Sequence, residues 1–186
     1  MDEYYLPEKS DTFGPFGPFG PFGPFGAEGT EGAEGTEELL PLVCFQLGDE
    51  QYALDIARVH EVLRLLPVTR IPQMPDFVLG VINARGNIIP VFDFRRKFGL
   101  GGKALGEKAK IIVVDVRETP VCFVADELLD NVKIERSSIT PVPQGKLKIP
   151  QECVAGISRL DERVIIILDL DKMYESAQED IRNFSP

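Results

Sequence analysis

The sequence predicts a mainly β protein whose short strands close into barrels or pack as a sandwich. About ten apolar segments of strand length recur at spacings of roughly 8–12 residues, which is the pattern of an all-β barrel or sandwich. Turn-forming glycine, proline and aspartate residues separate most of these segments. A glycine-rich segment at residues 99–102 divides the strands into two groups of about five, each with enough apolar residues to close a small core.

The first group begins with a predicted hairpin. Residues 43–47 alternate with a period of two, which predicts a strand, and a turn at residues 48–51 leads into a second strand at residues 52–56. Residues 57–66 predict a helical turn that leads into a further strand. Pro67 prevents a longer helix, since proline lacks the N–H that a helix interior needs.

A second hairpin and a short helix complete the first group. Apolar runs at residues 77–83 and 88–93 flank a glycine-containing turn, and this places Arg85 near the tip of the hairpin. The next residues, 94–98, predict a short amphipathic helix that Gly99 ends.

The second group repeats the alternation of strands and turns. Its predicted strands are residues 111–116, 121–125, 128–134, 154–160 and 164–168. The first two are joined by a predicted turn at residues 118–120. A final helix is predicted at residues 172–179, where Asp169 or Asp171 can cap the N-terminus with its side chain.

The N-terminal residues differ in composition from the rest of the chain. Residues 1–38 carry nine acids and one lysine, a formal charge of −8 out of −10 for the whole chain. Glycine recurs at every third position from Gly14 to Gly35, which is formally a collagen period. Only eight triplets are present and half contain phenylalanine, which favours a disordered, partly polyproline-like tail. We therefore expect a tail at residues 1–38 and a folded domain at residues 39–186. The five phenylalanines of the tail are either weak multivalent contacts or the result of repeat expansion.

Composition argues against several classes of partner. Beyond residue 38 the formal charge is only −2, and the one basic run, Arg95-Arg96-Lys97, is too short for a nucleic-acid surface. No apolar run approaches the ~20 residues of a membrane helix, and the acidic N-terminus lacks the apolar segment of a secretory signal. We expect a cytoplasmic protein that binds no nucleic acid and does not insert into the membrane.

Residue types that carry catalysis or bind metals are sparse. His60 is the only histidine, and the sequence shows no nucleophile–base pair, phosphate loop or zinc-ligand spacing. Cys44, Cys122 and Cys153 lie in apolar surroundings without a C-x-x-C spacing, which favours reduced, buried thiols. We therefore expect no cofactor, no metal, no small-molecule substrate and no catalytic residue.

Carboxylates at strand ends leave one enzymatic alternative open. Asp93, Asp126 and Asp169 each follow a predicted strand, and paired acids can hydrolyse glycosidic bonds. The other interpretation is solvation of strand ends and capping of helices. The chain contains no tryptophan to form a sugar platform, which favours this second interpretation.

Two charged residues lie among apolar ones. Arg85 lies in the predicted hairpin turn, and Glu61 lies in the run Val59-His60-Glu61-Val62-Leu63-Arg64. Such an arrangement fits a protein–protein contact, with apolar anchors for affinity and a charge pair for register. The alternative is a solvated turn arginine and an exposed strand glutamate.

The same residues belong to a series of motifs that resembles the CheW family of bacterial chemotaxis coupling proteins. In chain order the motifs are Phe45-Gln46-Leu47-Gly48, Tyr52-Ala53-Leu54-Asp55-Ile56, Val59 to Arg64, Thr69-Arg70-Ile71-Pro72, Phe77 to Asn83, Arg85 to Val91 and Arg96-Lys97-Phe98-Gly99-Leu100. The likeness covers residues 42–175 in order, and a series of this density is specific. No kinase or histidine-phosphotransfer segment accompanies it.

The resemblance implies a fold and a role. The fold is two intimately packed five-stranded β-barrels, of the OB or SH3-like type, around a shared core. Approximate subdomains at residues 39–101 and 102–175 follow, with strands exchanged between them. The role is a non-enzymatic adaptor that links the cytoplasmic hairpin tip of chemoreceptors to the regulatory domain of the histidine kinase CheA, peripheral to the membrane-bound receptor array.

By the same resemblance, two sets of residues face the partners. The receptor-facing set is Glu61, Val62, Asn83 and Arg85, and the kinase-facing set is Val43, Ile56, Val59 and Leu129. The chain departs from the family pattern at Ala84, where leucine is usual, and at Glu127, where glycine is usual. With the repeat tail, these departures leave open a coupling-like protein of a specialised array that binds receptor but not kinase. A small β-barrel hydrolase that uses the strand-end aspartates is the alternative from another class.

Overall fold

Two β-sheets and two α-helices make up the computed structural model, which confirms the mainly β class. The structure describes residues 38–101, 104–142, 145, 147–160 and 163–185. The predicted tail at residues 1–38 lies outside these residues except for Glu38, so its disorder stays a prediction. Residues 38–186 form one unit.

The described residues contain eleven strands. They are β1 Leu39–Leu47, β2 Glu50–Asp55, β3 Val59–Arg64, β4 Val78–Ala84, β5 Asn87–Phe92, β6 Lys110–Val116, β7 Thr119–Ala125, β8 Glu127–Leu128, β9 Val132–Glu135, β10 Val154–Leu160 and β11 Arg163–Leu168. The α-helices are α1 Phe94–Lys97 and α2 Leu170–Asn183, and a 3-10 turn at Ile56–Arg58 joins β2 to β3.

The strands form a six-stranded sheet and a five-stranded sheet. The six-stranded sheet has the order β10-β11-β2-β1-β8, and β9 also pairs with β1. The five-stranded sheet has the order β3-β6-β7-β5-β4. Each sheet contains one parallel contact, between β11 and β2 in the first and between β5 and β7 in the second. Both sheets therefore take strands from both sides of the glycine-rich segment at residues 99–102.

Most predicted elements are confirmed, but several differ in their bounds. The predicted strand at residues 128–134 is wrong as one element, because the structure has two short strands there, β8 and β9, with residues 129–131 between them. The turn between β6 and β7 is Arg117–Glu118, not residues 118–120, and Pro120 lies within β7 opposite Asp115. Both turn residues have positive φ, 50° and 64°, the geometry that matches the twist of a two-residue hairpin. Helix α2 is longer than the predicted residues 172–179 at both ends, since it begins directly after its cap and continues to Asn183. Asp169 is that cap and accepts a hydrogen bond from the Lys172 N–H at 3.0 Å.

Both faces of the central strands are buried. In β6, Ile112 and Val114 point into a large apolar cluster that both sheets and α2 share, which we call the shared core. Ile111 and Val113 of the same strand point to the other face, into a cluster formed by the five-stranded sheet alone. The six-stranded sheet has an equivalent cluster of its own. This alternation accords with two packed barrels around a shared core, although one sheet has six strands instead of five.

A buried cluster of charges lies where the chain passes from the five-stranded to the six-stranded sheet. Arg95, in α1, binds Asp93 through its Nε (2.9 Å) and Nη2 (2.7 Å), and its Nη1 binds Asp126. Asp126 lies between β7 and β8 and accepts the Gly48 N–H at 2.7 Å, which ties the β1–β2 turn to the same cluster. Burial pushes the pKa of Arg95 down, but the hydrogen bonds and charges of Asp93 and Asp126 outweigh burial and raise it.

Gly48 is required by this arrangement. Its φ is +62°, a conformation that side chains disfavour, and a Cβ at this position would lie 2.2 Å from the Leu100 carbonyl oxygen. The β1–β2 turn therefore packs directly against the segment that follows α1, and the Asp126 carboxylate holds it there.

We predict that Arg95→Ala destabilises the fold by roughly 3–5 kcal/mol, because it removes the buried guanidinium that binds both Asp93 and Asp126 and leaves the buried Asp93 carboxylate with the longer contact to Arg96 at 3.4 Å. Urea denaturation followed by circular dichroism measures the change. Arg64→Ala, which removes an exposed arginine from β3, is the control and should cost no more than about 0.5 kcal/mol. A free energy of unfolding for Arg95→Ala within about 1 kcal/mol of wild type would contradict the structural role of the cluster.

Candidate interaction surfaces

The hairpin of β4 and β5 ends in a tight two-residue turn. Arg85 and Gly86 both have positive φ, 53° and 89°, and the Asn83 side-chain oxygen accepts the Gly86 N–H at 2.9 Å. Glycine adopts this conformation without strain, and the Asn83 contact helps to hold Arg85 in it. The sequence-based prediction of Arg85 at a hairpin tip is therefore confirmed, and Asn83 shapes the tip as well as flanking it.

An ion pair joins the two edge strands of the five-stranded sheet. Arg85 Nη2 lies 3.0 Å from Glu61 Oε2, and the two side chains are 73% and 18% exposed. Glu61 belongs to β3 and Arg85 follows β4, which are the opposite ends of the sheet order. The pair therefore spans the seam between these strands, and it brings together two residues that the sequence analysis assigned to one surface.

The other two predicted receptor-facing residues lie on the outer face of the same sheet. Val62 follows Glu61 in β3 and points to the opposite face, because side chains alternate along a strand. Asn83 pairs with Ile88 across the hairpin. The structure thus places the set around one seam, but on two faces of it.

The sequence analysis assigned no role to one exposed residue beside this seam. Ile88 is 64% exposed, the most exposed of the large apolar residues in the described part of the chain. Its neighbour Ile89 points into the cluster of the five-stranded sheet. Strict alternation along β5 from the buried Ile89 places Ile88 on the outer face. The period of β5 was therefore a sequence signal that could have identified Ile88 as exposed.

Three of the predicted kinase-facing residues, Val43, Ile56 and Leu129, lie in or next to β1, and the fourth, Val59, begins β3 in the five-stranded sheet. Leu129 donates its backbone N–H to the Cys44 carbonyl at 2.8 Å, next to Val43, and Ile56 begins the 3-10 turn that follows β2. Val43 is only 4% exposed, whereas Ile56 is 37% exposed. Val59 and Leu129 are half-buried. Ile56, Val59 and Leu129 therefore reach the surface, whereas Val43 is covered and cannot contact a partner directly in this structure.

The strand-end aspartates of the enzymatic alternative all have structural partners. Asp93 and Asp126 bind Arg95, and Asp169 caps α2. His60 Nδ1 lies 3.5 Å from Asp115 Oδ2, and both side chains are more than half exposed. Within the described ranges no cluster of three or more histidine, cysteine or acidic side chains is arranged to hold a metal ion. The geometry thus gives each aspartate a role in holding the fold.

The three cysteines are buried and free, as predicted. Burial raises the pKa of the Cys122 thiol to about 12, and the nearby Glu61 charge adds to the shift. Burial likewise raises the pKa of Cys153 to about 11 and moves the pKa of Cys44 upward. Since the thiolate is the reactive form, these thiols are protected twice, by exclusion of reagent and by protonation.

Neither α-helix in the described part of the chain is long and apolar enough to cross a membrane.

Comparison with known proteins identifies a family. Residues 41–178 match the family model of the CheW-like domain. Chemotaxis protein CheW of Klebsiella aerogenes is 35% identical over 134 residues, which cover 72% of this chain and 81% of that protein. Chemotaxis protein CheW of Helicobacter pylori is 33% identical, with 74% of this chain and 82% of that protein covered. Protein FrzA of Myxococcus xanthus is 27% identical, with 73% and 86% covered.

A solved structure agrees with these relatives. The crystal structure of the scaffolding protein TtCheW from Thermoanaerobacter tengcongensis superposes with a TM-score of 0.68 at 34% sequence identity, over 76% of this chain and 91% of that one.

We predict that none of the three thiols reacts with an aromatic disulfide reagent in the native protein at mildly alkaline pH. All three should react once urea unfolds the chain, because unfolding removes the burial that raises their pKa values. Absorbance of the released thiolate counts the reacted cysteines. Rapid reaction of one cysteine in the native state would show that its surroundings open in solution.

Proposed function

The chain belongs to the CheW-like family, and from this membership we propose that it is a non-enzymatic adaptor that couples chemoreceptors to the histidine kinase CheA. Its relatives include chemotaxis proteins and a scaffolding protein. The observation that carries the proposal is the family match over residues 41–178, which contain both candidate surfaces. We further propose that the adaptor works in the cytoplasm, at the edge of membrane-bound receptor arrays.

The seam between β3 and β4 supports a receptor contact. A helical hairpin tip needs an exposed apolar patch for affinity and charges that set its register. Ile88 and Val62 supply exposed apolar area beside the seam, and the Glu61–Arg85 pair supplies the charges. The Arg85 side chain stays 73% exposed although it pairs with Glu61, so its guanidinium has solvent-accessible area for a partner's acidic or carbonyl groups.

The surface around β1 supports a kinase contact. Ile56, Val59 and Leu129 expose apolar area, and most side chains of the nearby strand β1 are buried, so a partner would meet a rigid support. Asp55 and Arg58 add charges at the edge of this area. An apolar centre with a charged rim is the usual composition of a non-obligate interface.

In this proposal the protein forms and breaks no covalent bond. It transmits the state of the receptor as a coupling free energy between two contact surfaces. Contacts of modest area bind with roughly micromolar strength, and multivalency across an array supplies the remaining avidity.

We predict that Arg85→Ala weakens binding to the receptor cytoplasmic tip about ten-fold while kinase binding is unchanged. Both the charge that meets the partner and the pair that orients it are lost. Calorimetric titration with a receptor tip fragment measures the change. Arg159→Ala, which removes an exposed arginine from β10, is the matched control. Binding of folded Arg85→Ala with wild-type affinity would remove Arg85 from the receptor surface.

We predict that two isoleucine substitutions have reciprocal effects. Ile56→Glu should abolish detectable binding to the kinase regulatory domain and spare receptor binding, whereas Ile88→Glu should do the opposite. Each change introduces an unpaired charge into an apolar contact, and each position is already exposed, so both variants should fold. Pull-down with each partner, alongside circular dichroism, provides the measurement. Retention of kinase binding by Ile56→Glu would disprove that surface, and binding of the wild type to receptor alone would favour a receptor-only adaptor.

A further inference from the structure

The segment Ile56–Val62 connects the two candidate surfaces. It begins in the 3-10 turn after β2, in the six-stranded sheet, and continues into β3, in the five-stranded sheet. Ile56 and Val59 belong to the kinase-facing set, and Glu61 and Val62 belong to the receptor-facing set. A shift of this segment would therefore be felt at both surfaces, and we call it the crossing segment.

Arg58 anchors the crossing segment to helix α2. Arg58 donates two hydrogen bonds to Asp171, from Nη1 to Oδ2 at 3.0 Å and from Nη2 to Oδ1 at 3.1 Å. It donates a third from Nε to the Asp115 carbonyl oxygen at 3.2 Å. A two-pronged contact between guanidinium and carboxylate fixes orientation as well as distance. Arg58 thus ties the segment to α2 and to the end of β6.

The other end of this contact is held rigidly. Asp171 lies in the first turn of α2, and Met173 and Ala177 of that helix are fully buried in the shared core. The hydrogen bonds from Arg58 hold the pKa of Asp171 below its usual value, which keeps the carboxylate charged near neutral pH. Arg117, at the β6–β7 turn, lies 4.0 Å away and reinforces that charge. The crossing segment is therefore connected, through Asp171 and α2, to the shared core.

We infer that Arg58 and Asp171 form a positioning pair that makes binding at the receptor surface alter binding at the kinase surface. The inference rests on the proposed function, because it specifies how that function transmits its signal. Neither partner needs to touch Asp171. With the pair intact, a displacement at Glu61 and Val62 moves Ile56 and Val59 as one body; without it, the 3-10 turn adjusts locally and absorbs the displacement.

The second crossing between the sheets is a weaker candidate for this role. It runs through Asp126, where Arg95 holds it, and it leads to Leu129 of the kinase-facing set. No receptor-facing residue adjoins it in sequence. Its charges are also buried, so their removal perturbs the whole fold, whereas the Arg58–Asp171 pair is about one-third exposed.

Asp171→Asn is the decisive variant, because Asp171 belongs to neither candidate surface while Arg58 adjoins one of them. The experiment measures the dissociation constant of the full chain for the kinase regulatory domain with and without saturating receptor tip fragment. The ratio of the two constants is the coupling factor. Glu179→Gln, which removes one exposed carboxylate from the same helix, is the matched control.

The wild type and Glu179→Gln should show a coupling factor of about five-fold to 150-fold, the usual range for coupled sites. Asp171→Asn should bind each partner alone within about two-fold of wild type but show a coupling factor within about two-fold of one. Arg58→Gln should lose coupling equally, and the double variant should lose no more, since both changes break the same contact. Circular dichroism and thermal unfolding verify that each variant is folded.

The possible failures are distinguishable. If Asp171→Asn keeps the wild-type coupling factor, the positioning pair is wrong while the adaptor function stands. If the wild type binds both partners with a coupling factor of one, the adaptor function stands and the inference is wrong. If the wild type binds neither partner, the proposed function fails, and the inference fails with it.

Discussion

Burial of both faces of the central strands is the constraint on which the other features of this protein depend. Side chains of β6 and β7 point alternately into the shared core and into the cluster of the five-stranded sheet, and β11 does the same in the six-stranded sheet. A strand with two dry faces must be apolar at nearly every position, which is why these segments appear as continuous apolar runs. It also follows that partners can bind only at strand ends, turns and edge strands, where side chains reach solvent.

The shared core forces the chain to cross between the sheets, and each crossing exposes backbone that lies outside a regular ladder. At both crossings, contacts between arginine and aspartate side chains hold this irregular backbone in place. The Arg95 cluster is buried and satisfies the Gly48 and Arg95 backbone N–H groups along with its own charges. The Arg58–Asp171 contact is partly solvated and joins a 3-10 turn to α2. Both rely on the planar guanidinium, which lysine cannot replace at a two-pronged site. The buried cluster supports stability, and the solvated one leaves room for adjustment.

The candidate surfaces follow from this architecture. The edge strands β3 and β4 end the order of the five-stranded sheet, and a side-chain ion pair joins them across the seam. Thr69, in the connection between the two strands, bridges Val81 of β4. Such a seam exposes charges and apolar side chains without exposing a long unpaired edge that would aggregate. Two residues of the proposed kinase-facing set, Ile56 and Val59, lie where the chain leaves β2 for β3, and β3 connects them to the seam within one short segment. This short connection suits the proposed adaptor function, in which binding of one partner affects binding of the other.

Local sequence patterns were enough to determine most strands, the hairpin tip at Arg85, a helix cap at Asp169 or Asp171 and the burial of the cysteines, because period, turn chemistry and capping act over a few residues. The structure decided between the two aspartates in favour of Asp169. The family motifs identified the relatives for the same reason, since they lie in one ordered block. Only the tertiary structure decided that Glu61 pairs with Arg85, that Val43 is covered and that Arg58 reaches Asp171. These contacts join segments far apart in the chain. They depend on how two sheets close and pack, and no local pattern carries that information.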